Sequence, residues 1–69
     1  MKVTLQIGGM ECEDCVKAIR EALEDAAGVE SVKVDLTKGR AVIEGEEEDL
    51  DVSELIEIVE IEGYEAKAL

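Results

Sequence analysis

The sequence predicts an α+β fold, with one four-stranded antiparallel sheet and two helices on one of its faces, in a single domain over residues 1–69. Three observations predict it. Apolar residues alternate with polar ones in four short stretches, the period of a half-buried strand. In two longer stretches they recur three and four residues apart, the period of an amphipathic helix. Glycines stand between these stretches, where turns need them.

Met1 to Gly8 reads as the first strand, with Val3, Leu5 and Ile7 on its buried face. Gly8 and Gly9 end it and permit a tight turn. A helix is expected from Glu13 to about Ala27. Val16, Ile19, Ala22, Leu23 and Ala26 share one of its faces, and Lys17, Arg20, Glu21 and Glu24 share the other. Lys17 and Glu21, like Arg20 and Glu24, stand four apart and are expected to pair. Val29 to Leu36 reads as the second strand, with Val32, Val34 and Leu36 alternating with Lys33 and Asp35. Thr37-Lys38-Gly39 forms the turn of a hairpin, and Arg40 to Gly45 is its second arm, with Ala41 and Ile43 inward. Glu46 to Asp51 is an acidic loop. Asp51-Val52-Ser53-Glu54 has the form of a helix-starting cap. The second helix then runs to about Glu62, with Val52, Leu55, Ile56 and Val59 as its buried stripe, and Gly63 ends it. Tyr64, Ala66 and Ala68 alternate with Glu65 and Lys67 in a short last strand. The order is strand, helix, strand, strand, helix, strand, that of a ferredoxin-like βαββαβ sandwich. Ile58, Ile61 and Val42 fall outside the inward positions. They read either as rim packing or as a patch for a partner or second copy.

The charge balance restricts function. Nineteen acids and seven bases give a net charge of −12. Nucleic acid and anionic membrane surfaces are disfavoured partners, because both are bound through Lys and Arg. A cation or a basic protein face is the natural complement. The chain shows no signal peptide pattern and no apolar run of the ~20 residues that span a bilayer, so a cytoplasmic location is expected. In that reducing compartment the two cysteines should be free or metal-bound.

Both cysteines lie in Gly8-Gly9-Met10-Glu11-Cys12-Glu13-Asp14-Cys15, on a strand-to-helix turn. The N-terminus of a helix carries partial positive charge, which favours thiolate over thiol at Cys15. Two thiolates at this spacing can converge on one soft metal ion. Cys12, in the loop, is expected to be the more accessible, and Cys15 the more anchored.

Gly9-Met10-Glu11-Cys12-Glu13-Asp14-Cys15, Gly28-Val29 after the first helix and Gly63-Tyr64 after the second together resemble the heavy-metal-associated domain family. That family comprises small copper chaperones, amino-terminal domains of metal-exporting P-type ATPases, and mercury-binding relatives. The resemblance covers essentially the whole chain. It implies that Cys12 and Cys15 bind the metal, that Met10 packs beneath the loop as an apolar support, and that Tyr64 lies close to the site. One departure is Glu11, where copper carriers often have Thr or Ser. In relatives that handle zinc, cadmium or lead, a carboxylate near the cysteine pair serves as an extra ligand, so Glu11 is a candidate accessory ligand here.

Two thiolates without any histidine make a low-coordinate soft site, suited to Cu(I), with Ag(I) and Hg(II) as alternatives. Zn(II) prefers four ligands, and Zn(II) or Cd(II) would need help from Glu11 and water. The expected function is a carrier without bond-making catalysis, so not an enzyme. It would pass its ion to a metal-transporting P-type ATPase, or another metal-accepting protein with a basic docking face, as a monomer or a metal-bridged dimer. A metal-binding domain belonging to such a transporter would show the same chemistry. The start at Met1 and the end just after the last strand are what a free-standing carrier would show. A thiol–disulfide oxidoreductase would carry an aromatic before its Cys-x-x-Cys and a facing proline; this chain has Gly-Met there and no proline. An iron–sulfur centre would need four cysteines, or two copies of the chain.

Overall fold

The first strand, β1 (Lys2–Gly8), lies inside the sheet because its alternate residues Val3, Leu5 and Ile7 are all buried. It is followed by α1 (Glu13–Glu24), β2 (Val29–Asp35), β3 (Arg40–Gly45), α2 (Val52–Ile61) and β4 (Glu65–Ala68). The computed structural model describes all residues, Met1–Leu69. The sheet order is β2-β3-β1-β4, and every pairing is antiparallel. Both helices pack on one face, α1 over β2 and α2 over β4 and β1, so the expected α+β ferredoxin-like sandwich is what forms. Leu5, Ile19, Leu23, Ile43, Leu55 and Val59 are fully buried between the layers. Each such aliphatic side chain stabilises the fold by about 1.5–3 kcal/mol.

Local chemistry sets the element ends. Asp51 caps α2: its Oδ1 accepts from the Ser53 N–H at 2.9 Å and the Glu54 N–H at 3.4 Å. At the other end Gly63 takes φ +97, its N–H donates to the Glu60 carbonyl at 3.0 Å, and the Tyr64 N–H donates to the Val59 carbonyl at 3.3 Å. This is the left-handed helix stop that favours glycine, and it turns Tyr64 back onto the body of the domain.

Several expectations are corrected. The first helix ends at Glu24, short of Ala27. Glu24 and Asp25 oppose the negative helix end, no base stands in its last turn, and the Ala26 N–H already bonds back to Leu23 in a tighter turn. Only Arg20 and Glu24 approach as an ion pair, at 4.0 Å; Lys17 and Glu21 do not. The hairpin turn takes in Leu36, because the Gly39 N–H bonds to its carbonyl and the Lys38 N–H bonds to Asp35 Oδ1. Tyr64 precedes β4, and Ala68 is exposed. Leu50, within the acidic loop, is buried in the core. Ile58 packs half-buried against the core, whereas Ile61 is 75% exposed.

The register separates two ends of the molecule. Lys2 pairs with Glu44, and the Gly45 N–H bonds to the Met1 carbonyl, so the acidic loop after Gly45 lies where β1 begins. The cysteine loop follows β1 at its other end, roughly 20 Å away along a seven-residue strand.

Candidate metal centre

At the end of β1 the chain leaves through Gly8 and Gly9 into the loop that carries the thiols. Gly9 takes φ +97, and a Cβ there would meet the Tyr64 ring at 3.4 Å. The glycine thus supplies both the turn and the room for the ring. Met10 is half-buried and packs against the core, the place expected of an apolar support. Glu11, Cys12, Glu13 and Asp14 are exposed, and Cys15 is half-exposed.

Cys12 occupies the cap position of α1 in extended conformation (φ −149, ψ 167), and its side chain makes no capping hydrogen bond. Its carbonyl accepts from the N–H of Cys15 at 3.1 Å and of Val16 at 3.2 Å, so Cys15 is locked into the first helical turn. The two sulfurs stand 2.9 Å apart, close enough to share one proton.

That proton divides the pair. Cys15 is lowered to about 7, first because the Cys12 thiol donates to it. The Tyr64 phenol and nearby backbone N–H groups lower it further, against a smaller effect of burial. Cys12 is raised, first because it keeps the proton it gives to Cys15; the N–H groups of Cys15 and Asp14 pull the other way and lose. Tyr64 is pushed up to about 12, chiefly because its phenol donates to Cys15 and so retains its proton. The backbone groups that lower Cys15 are those of Glu11 and Cys12, just ahead of α1, and the partner thiol contributes more.

The arrangement predicts stepwise thiol chemistry. Thiolate is the reactive form. Alkylation of the reduced protein by iodoacetamide, mapped by mass spectrometry, should label Cys15 first, with a midpoint near pH 7, and Cys12 only at higher pH. Tyr64→Phe removes a donor to the thiolate, so the Cys15 midpoint should move upward; an unchanged midpoint would count against the Tyr64 contact.

The structure brings Cys12, Cys15 and Tyr64 to one place, while Met10 packs against the core. It assembles no group of three or more His, Cys, Asp or Glu side chains fit for a single ion, so Glu11 does not join the sulfurs in such a cluster. Zinc–sulfur bonds of about 2.3 Å need sulfurs about 3.8 Å apart for a tetrahedral angle, and a straight S–metal–S line would need about 4.6 Å. The sulfurs at 2.9 Å must therefore part before either geometry forms. Cys12, outside the helix and uncapped, is the one free to swing. The sequence alone favours thiolate at Cys15 through the helix start; the two largest causes, the Cys12 thiol and then the Tyr64 phenol, depend on the fold.

Known proteins resemble this chain over nearly its whole length. The family model for the heavy-metal-associated domain matches residues 4–65. The copper chaperone CopZ of Enterococcus hirae is 35% identical over 69 residues, covering 100% of both chains. A probable copper-exporting P-type ATPase of Archaeoglobus fulgidus is 42% identical over 66 residues, 96% of this chain and 8% of the transporter. Among solved structures, a copper binding domain from HMA7, a P-type ATPase, superposes with a TM-score of 0.94 at 28% identity, covering 99% of this chain and 92% of the other.

Proposed function

The chain belongs to the heavy-metal-associated domain family, and from that premise we propose that it is a cytoplasmic carrier of a soft metal ion, Cu(I), held by Cys12 and Cys15. The observation that supports this most is the thiol pair itself: one anchored sulfur lowered to about 7 and one exposed, movable sulfur, side by side at the end of the sheet. The ion is cargo. A site of two sulfurs leaves coordination positions open, which favours Cu(I) over Zn(II) and leaves room for a partner's thiols.

Transfer follows from the asymmetry. A partner thiolate approaches the exposed side and adds to the metal, Cys12 leaves first, and Cys15 leaves last because its backbone is fixed in α1. No covalent bond within the protein changes, so no catalytic residue is needed. The partner is a metal-transporting P-type ATPase, or another thiol-bearing acceptor, with a basic face that meets Glu11, Glu13 and Asp14 around the loop. The larger acidic cluster at Glu46–Asp49 lies at the far end of β1 and adds only to the long-range field. A second reading, a metal-binding domain within such a transporter, is favoured by the 42% identity to the copper-exporting ATPase. The site chemistry is the same in both.

The test is anaerobic competition of Cu(I), Zn(II) and Hg(II) for the reduced protein, repeated with Glu11→Ala. The expected result is one Cu(I) per chain in preference to Zn(II), with Glu11→Ala unchanged. Preference for Zn(II), lost in Glu11→Ala, would overturn the Cu(I) assignment and make Glu11 a ligand.

A further inference from the structure

The outward face of the sheet carries a feature that metal transfer does not use. Four of the seven bases, Lys2, Lys33, Lys38 and Arg40, line one groove of about 340 Å³ with Thr4 and Val42. The register explains the convergence. Lys33 pairs with Val42 and Val42 pairs with Thr4, so these three cross the sheet in one row. Arg40 lies two residues from Val42 along β3, and Lys2 lies two residues from Thr4 along β1. With strands about 4.8 Å apart and alternate residues about 6.8 Å apart, the backbones of Lys2, Lys33 and Arg40 sit within about 5–8 Å of Val42. Lysine and arginine side chains span that distance.

None of these four cations has a carboxylate partner, although the chain holds twelve more acids than bases. The one ion pair is Arg20–Glu24, on the helix side. One acid, Asp35, shares the lining with them: it stands opposite Arg40 in the register, and its carboxylate accepts from the Lys38 N–H at 3.1 Å. Glu44, opposite Lys2, accepts from the Ser31 hydroxyl at 3.4 Å. Lysines on an edge strand guard against unwanted pairing, but β1 and β3 are the central strands, so that reason does not cover Lys2 or Arg40.

We propose that this face is a binding site for a compact multivalent anion of the phosphate type, seated over Val42 and held by Lys2, Lys33, Lys38 and Arg40. Compactness follows from the charge distribution. Of the nineteen acids only Asp35 lines the groove, and at physiological salt the field of the others falls off over about 8 Å. An anion confined to the groove meets four cations at contact. An extended polyanion such as nucleic acid or a membrane would run out over the acids. The Thr4 hydroxyl adds a neutral donor to the charged ones, Val42 supplies an apolar floor, and the single carboxylate in the lining, Asp35, is outnumbered by four cations.

The experiment is a titration of the apo protein with inorganic tripolyphosphate at constant ionic strength, followed by amide chemical shifts. Saturable shifts are expected at Lys2, Thr4, Lys33, Lys38, Arg40 and Val42. The pair Lys33→Gln/Arg40→Gln should weaken binding about tenfold or more, the loss of two charge-assisted contacts. The helix-side pair Lys17→Gln/Arg20→Gln should leave binding unchanged. Shifts that grow without saturating, or equal weakening by both pairs, would overturn the proposal. Cys12→Ser/Cys15→Ser should bind the anion as the parent does, which separates this site from the metal reading.

Discussion

Cys12→Ser and Cys15→Ser are each expected to weaken Cu(I) binding by more than about 100-fold, the upper end of what losing a mere outer-shell partner costs a metal site. A serine hydroxyl is a hard donor that keeps its proton near neutral pH, so it does not replace a thiolate on a soft ion. With only two thiols and no third His, Cys, Asp or Glu grouped with them, no side chain of those types stands ready to substitute. The two variants should differ in their remaining thiol. In Cys12→Ser, Cys15 loses the sulfur donor that lowers it most, so its thiolate should form at higher pH than in the parent. In Cys15→Ser, Cys12 no longer holds its proton in a hydrogen bond to a neighbouring thiolate, while the backbone N–H groups still favour its anion, so its thiolate should form at lower pH. Competition against a chelator measures the affinities, and alkylation against pH measures the thiols. Parent-like Cu(I) affinity in either variant would remove the ligand assignment.

The parts of this molecule visible in the sequence are those that repeat a local rule. Val3, Leu5 and Ile7 declare a strand by alternation, and all three are buried. Asp51 with Glu54 declares a helix start, and the Asp51 carboxylate does cap it. Gly63 before Tyr64 declares a helix stop, and that stop delivers Tyr64 to the thiols. The parts that were not visible depend on residues far apart in the chain. Leu50 is surrounded by acids in sequence, yet it is drawn into the core where the loop crosses to α2. The early end of α1, where the Ala26 N–H turns back to the Leu23 carbonyl, is invisible to helical periodicity, which continues through Ala26. Lys2, Lys33 and Arg40 are scattered in sequence and meet only when β2, β3 and β1 take their register. At the metal centre the pair of sulfurs and a preference for thiolate at Cys15 were legible, but the chief cause of that preference, the 2.9 Å contact with Cys12, and the help of the Tyr64 phenol were not.

Gly45→Ala is expected to destabilise the domain by about 3 kcal/mol, the upper end of the cost of overpacking a well-packed site. Gly45 ends β3 where the pairing with β2 slips between Val29 and Ser31. It is buried, its N–H bonds to the Met1 carbonyl at 3.0 Å, and its carbonyl accepts from the Met1 amino group at 2.8 Å. A Cβ there would collide with the Gly28 carbonyl oxygen, and would lie 3.0 Å from the Gly28 carbonyl carbon and 3.2 Å from the Val29 Cα. All of these are backbone atoms, so no side-chain rotation relieves the clash. Gly28 cannot retreat freely either, because it holds φ +80, its carbonyl accepts from the Glu46 N–H at 3.1 Å, and Asp49 packs over it. A 69-residue domain holds roughly 3–10 kcal/mol in total, so this change takes a large share. At about 4–8 °C per kcal/mol for a domain of this size, Tm should fall by roughly 10–25 °C. Gly8→Ala is the control: its Cβ would meet only Glu65 side-chain atoms, at 3.5 Å and beyond, and its φ is not positive, so its Tm should stay close to the parent's. Equal Tm values for the two variants would mean that the approach of β3 to the Gly28 turn is looser than described. Because Gly45 and the thiols sit at opposite ends of β1, the folded fraction of Gly45→Ala should keep the parent's Cys15 alkylation midpoint, separating damage to the fold from damage to the site.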